Sequence, residues 1–280
     1  MKSKRYVGLL LAVVGLLTAF AALSPAANAV ALPKPGFEQF TGCQSPYTEN
    51  TKIITCVHSI ISSGHFNMGS KEVPIEKPIT LTGGIENAET VTPLLFNSAG
   101  GLNKAKQKVP GGVIGLTGLT WLLEFLGSEA LTLYATTELA GTPLVGGVQF
   151  ARLPIKVHLE NGVLGSKCYV GSTSEPIVLN LTTGTTSPPP PNKPISGKDP
   201  FLEFEEEKEI QLAKEGTFVD NSFAAPGANG CVLTLFGFIP ISINGLVNSQ
   251  SGLPAAAGTN ETVQNFTDEL VVAKHAFKKE

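Results

Sequence analysis

Charge, histidine and recognisable catalytic motifs are all scarce in this chain. Only 15% of its 280 residues are charged, and four are histidine. It contains no Gly-x-Ser-x-Gly elbow, phosphate-binding glycine loop, His-Glu-x-x-His or EF-hand spacing. The local signatures of serine hydrolases, nucleotide-binding enzymes, zinc proteases and calcium sensors are therefore missing, and no catalytic residue is assigned. There is no Cys-x-x-Cys, and His58 follows Cys56 without a finger-like spacing, so no metal site and no cofactor are expected. The acidic residues outnumber the basic ones, 23 to 20, which argues against nucleic acid because phosphate contact needs a basic surface. A wall-sorting tail is not expected, since the chain closes on polar Lys278-Lys279-Glu280.

The start of the chain reads as a secretion signal. Lys2, Lys4 and Arg5 precede an apolar run over residues 6–23, and Ala27-Asn28-Ala29 supplies a small-residue cleavage pattern. Cleavage after Ala29 leaves residues 30–280. It removes three of the 20 basic residues and no acid, so 17 face 23 and the net charge becomes −6. That balance weakens attachment to anionic lipid. Export also bears on Cys43, Cys56, Cys168 and Cys231, because an even set in an oxidising compartment is expected to pair. Three pairings are open. Cys43–Cys56 with Cys168–Cys231 is favoured because each bridge then stays within one half of the chain.

What is abundant points to strands and turns. Thirty glycines and 20 prolines favour short strands over long helices, while 42% hydrophobic content supports a real core. Leu153, Ile155, Val157 and Leu159 alternate with Arg152, Pro154, Lys156, His158 and Glu160, the period of a half-buried strand. Asn161-Gly162 then predicts a hairpin turn with 163–170 returning, and Pro154 predicts an edge position or a bulge. Residues 131–139 alternate in the same way. A third strand pair is expected over 231–243, with a turn at Asn244-Gly245 before Leu246-Val247. Residues 66–75 and 168–177 share a Gly-Ser-x-x-x-Pro-Ile skeleton, which leaves open two pseudo-repeats, residues 30–128 and 129–280.

Two segments break the pattern. Residues 109–127 are apolar and glycine-rich, too short and too interrupted by Glu124 for a membrane span. A buried helix or apolar loop is the plain reading. A surface that holds lipid or another apolar molecule is the alternative, with Val113, Leu116, Leu119, Trp121, Leu122 and Phe125 as its contacts. Residues 185–200, with prolines at 188–191 and 194, read as an extended polyproline spacer or loop. The acidic cluster Glu203, Glu205, Glu206, Glu207 and Glu209 reads as a solvated face. The sequons at Asn180, Asn260 and Asn265 matter only in a eukaryotic secretory route, and the signal looks bacterial.

The stretch 168–197, CYVGSTSEPIVLNLTTGTTSPPPPNKPISG, together with Lys156-Val157-His158-Leu159-Glu160-Asn161, resembles a group of uncharacterised secreted proteins of actinobacteria. The resemblance implies export and a bacterial source and brings no activity, cofactor or site residue. The expected fold is all-β, a sandwich or small barrel with at most one short apolar helix. The expected function is that of a non-enzymatic cell-envelope or extracellular interaction protein with an unidentified partner. A carrier of apolar ligand or membrane-associated protein is the alternative, and a secreted hydrolase with a dispersed site the second.

Overall fold

Strict alternation over residues 150–160 sets the frame of the molecule. The computed structural model describes residues 32–44, 52–87, 89–235 and 239–278, and all their side chains but those of Leu123, Phe125 and Leu235. The signal expected at 1–29 lies outside the described residues. In chain order the early strands are β1 (Thr55–Met68), β2 (Lys71–Pro74), β3 (Ile79–Ile85), β4 (Thr92–Pro93), β5 (Gly101–Leu102) and β6 (Lys106–Lys108). Helices α1 (Gly112–Thr117) and α2 (Leu122–Ala130) follow, then β7 (Tyr134–Leu139), β8 (Leu144–Gly146), β9 (Phe150–Glu160), β10 (Tyr169–Val170) and β11 (Ile177–Thr182). The rest is β12 (Phe201–Glu205), β13 (Ile210–Asp220), β14 (Ala228–Asn229), β15 (Val232–Leu235), β16 (Ile239–Ser242), α3 (Asn244–Ser251), β17 (Glu261–Val272) and α4 (Ala273–Ala276).

With 46% of residues in strands and 12% in helices, the expected all-β class is what is found. All strands but β15 and β16 join one sheet with the main order β14-β10-β9-β11-β13-β17-β1-β3-β5, and the sheet curls into a half-barrel. Hydrogen bonds exchanged between Gly84 and Leu95, at 2.7 and 2.9 Å, carry the pairing from β3 towards β4. β4 pairs with β8, and β8 pairs with β9.

The curl has local causes. The β1–β17 register shifts between Ile61 and Ser63, and the β13–β17 register between Ala213 and Gly216. Such bulges bend and twist a strand. Gly64, just after the first shift, has φ +128°, and a Cβ there would lie 1.9 Å from the Val263 carbonyl oxygen. At the second, the Phe266 ring lies where a side chain on Gly216 would stand, its nearest atom 2.3 Å from the Cβ position.

The inner faces supply one core, with Phe66, Leu81, Leu133, Ile155, Leu179 and Phe266 among its members. A smaller cluster sits apart, where Phe40, Ile210, Val271 and Phe277 surround the Cys43–Cys56 bridge. Cys168–Cys231 is the second bridge, so both favoured pairings form.

Three local expectations change. Pro154 lies in a central strand and not at an edge, because β9 is paired on both sides. Its Cα partners on one side end at Ile155 for β7 and resume at Arg152 for β8. The missing N–H faces that gap, where the Pro154 carbonyl accepts from Ala140 N–H at 2.9 Å. The Asn161-Gly162 turn opens a longer loop, and only Tyr169 and Val170 return to pair with His158 and Val157. Asn244-Gly245 begins α3 and not a hairpin turn, and the Asn244 side chain accepts from Cys231 N–H at 2.8 Å. Val247, one turn on, is fully buried.

Where one short helix is expected, residues 112–130 form two, and α3 and α4 add two more. The proline-rich stretch is an excursion joined at its base by the Thr185–Ser196 bridge. Asn192 pins it by donating to the carbonyls of Asn221 and Asn260. The two echoing segments diverge at their glycines. Gly69 reverses the chain between antiparallel β1 and β2, whereas β10 and β11 on either side of Gly171 both run antiparallel to β9.

Candidate functional site

The outward face of β9 carries a set of interlocked, partly buried polar side chains. Register places Lys106, Thr136, His158, Tyr169 and Asn229 in one row across β6, β7, β9, β10 and β14. The neighbouring rows pair Tyr134 with Glu160 and Glu138 with Lys156. Alternation dictates this: on each strand the intervening residues, such as Ala135, Val157 and Leu159, point into the core.

His158 is the hub. Its ring stacks on Tyr169 with centroids 4.3 Å apart, and Lys156 Nζ lies 4.7 Å from the same Tyr169 ring. His158 Nδ1 is 3.9 Å from a carboxylate oxygen of Glu138 and equally far from one of Glu160. Its Nε2 is buried with no hydrogen-bond partner. Lys156 pairs with Glu138 at 3.4 Å, and Lys106 with Glu160 at 2.5 Å. Thr136 also donates its hydroxyl to Glu160. Burial works to raise the Glu160 carboxyl, but the hydrogen bonds from Lys106 and Thr136 outweigh it and hold the group below its ordinary range.

Beside this cluster lies a groove of about 490 Å³, lined by Lys106, Tyr134, His158, Glu160 and the 161–166 loop. The loop is firmly held. Asn161 donates to the carbonyls of Ala130 and Thr132, Leu164 is buried, and Cys168 is bridged to Cys231. A rigid wall against preorganised donors, acceptors and an aromatic ring is suited to recognising a polar ligand.

The other expected residues are placed as follows. Cys43, Cys56, Cys168 and Cys231 form the two bridges and line no groove described above. Val113, Leu116 and Leu122 lie in the main core, and Leu119 packs against it. Trp121 is 42% exposed at the start of α2, and the Phe125 side chain lies outside the described residues. Leu116 borders an apolar cavity of about 40 Å³ with Val109, Ala135, Val157 and Leu159, room for about one water and not for a lipid chain. Among the described residues, no cluster of histidine, cysteine or carboxylate could hold a metal ion.

The remaining histidines serve elsewhere. His58 is half-buried, 2.7 Å from the Thr82 hydroxyl, and burial lowers its pKa. His65 lies 3.4 Å from Glu261, and His275 meets Glu209. Asn260 is fully buried, its amide donating to Phe223 and Ala256 carbonyls, so that sequon is closed in the folded protein.

Sequence reading placed His158 on the right face and missed its neighbours. The signal for Tyr134, Thr136 and Glu138 was present in the alternation of 131–139. Lys106 carried none, because β6 is three residues long. Compared with protein-family models, with curated proteins and with solved structures, the chain matches none.

Proposed function

We propose that this protein is a secreted, non-enzymatic cell-envelope or extracellular interaction protein that meets its partner at the groove beside His158. The observation that carries this reading is the concentration of partly buried polar groups on one outward sheet face. The side chains of Lys156, His158, Glu138 and Glu160 are only 18–24% exposed, unlike an ordinary solvated face. Two disulfides support an oxidising, extracellular setting. Val113, Leu116 and Leu122 pack in the main core, which gives the helices a packing role and weighs against the carrier reading.

The test is fractionation of the native host into medium, salt-extractable wall and detergent-extractable membrane, for wild type and Tyr134→Ala. Salt-extractable wild type with the variant released to the medium supports the reading. Equal wall retention of both removes the groove from it.

A hydrolase remains the second reading because His158 stands between two carboxylates, the kind of set that serves acid–base chemistry. An activity on a polymer substrate panel that disappears in His158→Ala would support it. Activity retained in that variant would exclude this site.

A further inference from the structure

We propose that the groove binds a neutral, hydroxyl-rich chain, a stretch of uncharged glycan, and neither an ion nor an apolar molecule. This rests on the groove being the docking site. The charges around it are already engaged with one another: Lys106 with Glu160 at 2.5 Å and Lys156 with Glu138 at 3.4 Å. The four charges cancel, so the groove presents no net charge that would favour an ionic ligand over a neutral one.

What stays uncommitted is polar. His158 Nε2 is unpartnered but buried, out of a ligand's direct reach. The Tyr134 phenol and the Ser166 hydroxyl line the groove without a hydrogen bond to protein. Glu160, held ionised by Lys106 and Thr136, keeps acceptor capacity beyond those two bonds. Sugar hydroxyls match this set, donating to the carboxylate and exchanging bonds with hydroxyls. The Tyr134 ring offers an apolar surface to the C–H face of a sugar. A space of about 490 Å³ is within the range of small-molecule sites.

The test titrates the full secreted chain with three neutral hexasaccharides, of glucose, mannose and N-acetylglucosamine, and with inorganic phosphate and an anionic polysaccharide as comparators. One neutral sugar is expected to bind with an affinity that changes less than about twofold between roughly 0.05 and 0.5 M salt. Tyr134→Ala should weaken it by about tenfold. Glu160→Gln, which keeps the side-chain shape, should also weaken it, with circular dichroism showing both variants folded. Failure of all three sugars at about 10 mM, or binding confined to the anions and lost in salt, overturns the proposal. Wall retention that needs Tyr134 while no sugar competes would sink the ligand class alone. Retention independent of Tyr134 would sink the docking site with it.

Discussion

Asp268 on β17 stands opposite Ser59 on β1, accepts a hydrogen bond from it, and keeps its own Oδ1 buried without a partner. Burial pushes the Asp268 carboxyl up to about 7 from an ordinary value of 3.8, and the Ser59 bond offsets little of that. The folded value lies above the unfolded one. The stabilisation by the protonated form is therefore fully present below pH 4 and is lost as pH rises to about 7. The window is worth roughly 4 kcal/mol. Denaturant unfolding at pH 4, 5.5, 7 and 8 should show stability falling relative to Asp268→Asn, whose difference from wild type reports this group alone. A difference that stays constant with pH would remove Asp268 as the cause.

His58 acts in the opposite direction. Burial lowers its pKa from 6.5, so the unfolded chain takes up a proton first as pH falls. Stability is complete above pH 6.5 and declines as pH drops towards the folded value. His58→Gln should flatten that acid-side decline, read by the same unfolding curves, without altering the Asp268-linked loss between about pH 4 and 7.

The bridges should differ in worth because they close loops of different length, 13 residues for Cys43–Cys56 and 63 for Cys168–Cys231. Replacing both cysteines of a pair by alanine should cost roughly 3 kcal/mol for the first and roughly 4 for the second on the chain-entropy account. Equal losses would show that native-state packing around each bridge dominates.

The apolar stretch 109–127 separates core from surface residue by residue. Leu116 and Leu122 are 4% and 3% exposed, whereas Leu126 is 45% exposed. Alanine at either of the first two should cost about 2–4 kcal/mol, and at Leu126 no more than about 0.5 kcal/mol, by denaturant unfolding. A small loss at Leu116 and Leu122 would return the segment to a role other than packing.

Legibility followed the range of the interactions. The period of β9 is local and legible in the sequence, whereas of three open cysteine pairings the sequence only favoured the one that forms. Pro154 misled because its tolerance depends on a break between β7 and β8, which only their register with β9 creates. Asn244-Gly245 misled because a dipeptide that favours a tight turn here caps Cys231 and feeds Val247 into the core. The groove was least legible. Lys106, Glu138, His158 and Glu160 span more than fifty positions and meet only through the pairing of three strands, β6, β7 and β9. On β17 the buried face carries the polar residues Thr262, Gln264 and Asp268, so hydrophobic periodicity gives no signal for which face is buried.

That same pairing makes the charges around His158 separable from folding. Lys106 and Glu160 are 51% and 23% exposed, so water already screens them and their attraction adds little to stability. Lys106→Met, Glu160→Gln and the double variant should each lose no more than about 1 kcal/mol, with a coupling below about 1 kcal/mol in the resulting cycle. Partner binding should respond far more strongly, because Glu160→Gln removes a charged acceptor at the groove while leaving its shape. Measured together, unfolding and wall retention then decide what the cluster is for. A coupling well above 1 kcal/mol with unchanged retention would make it a structural clasp between β6 and β9. Near-zero coupling with lost retention would make it a recognition surface.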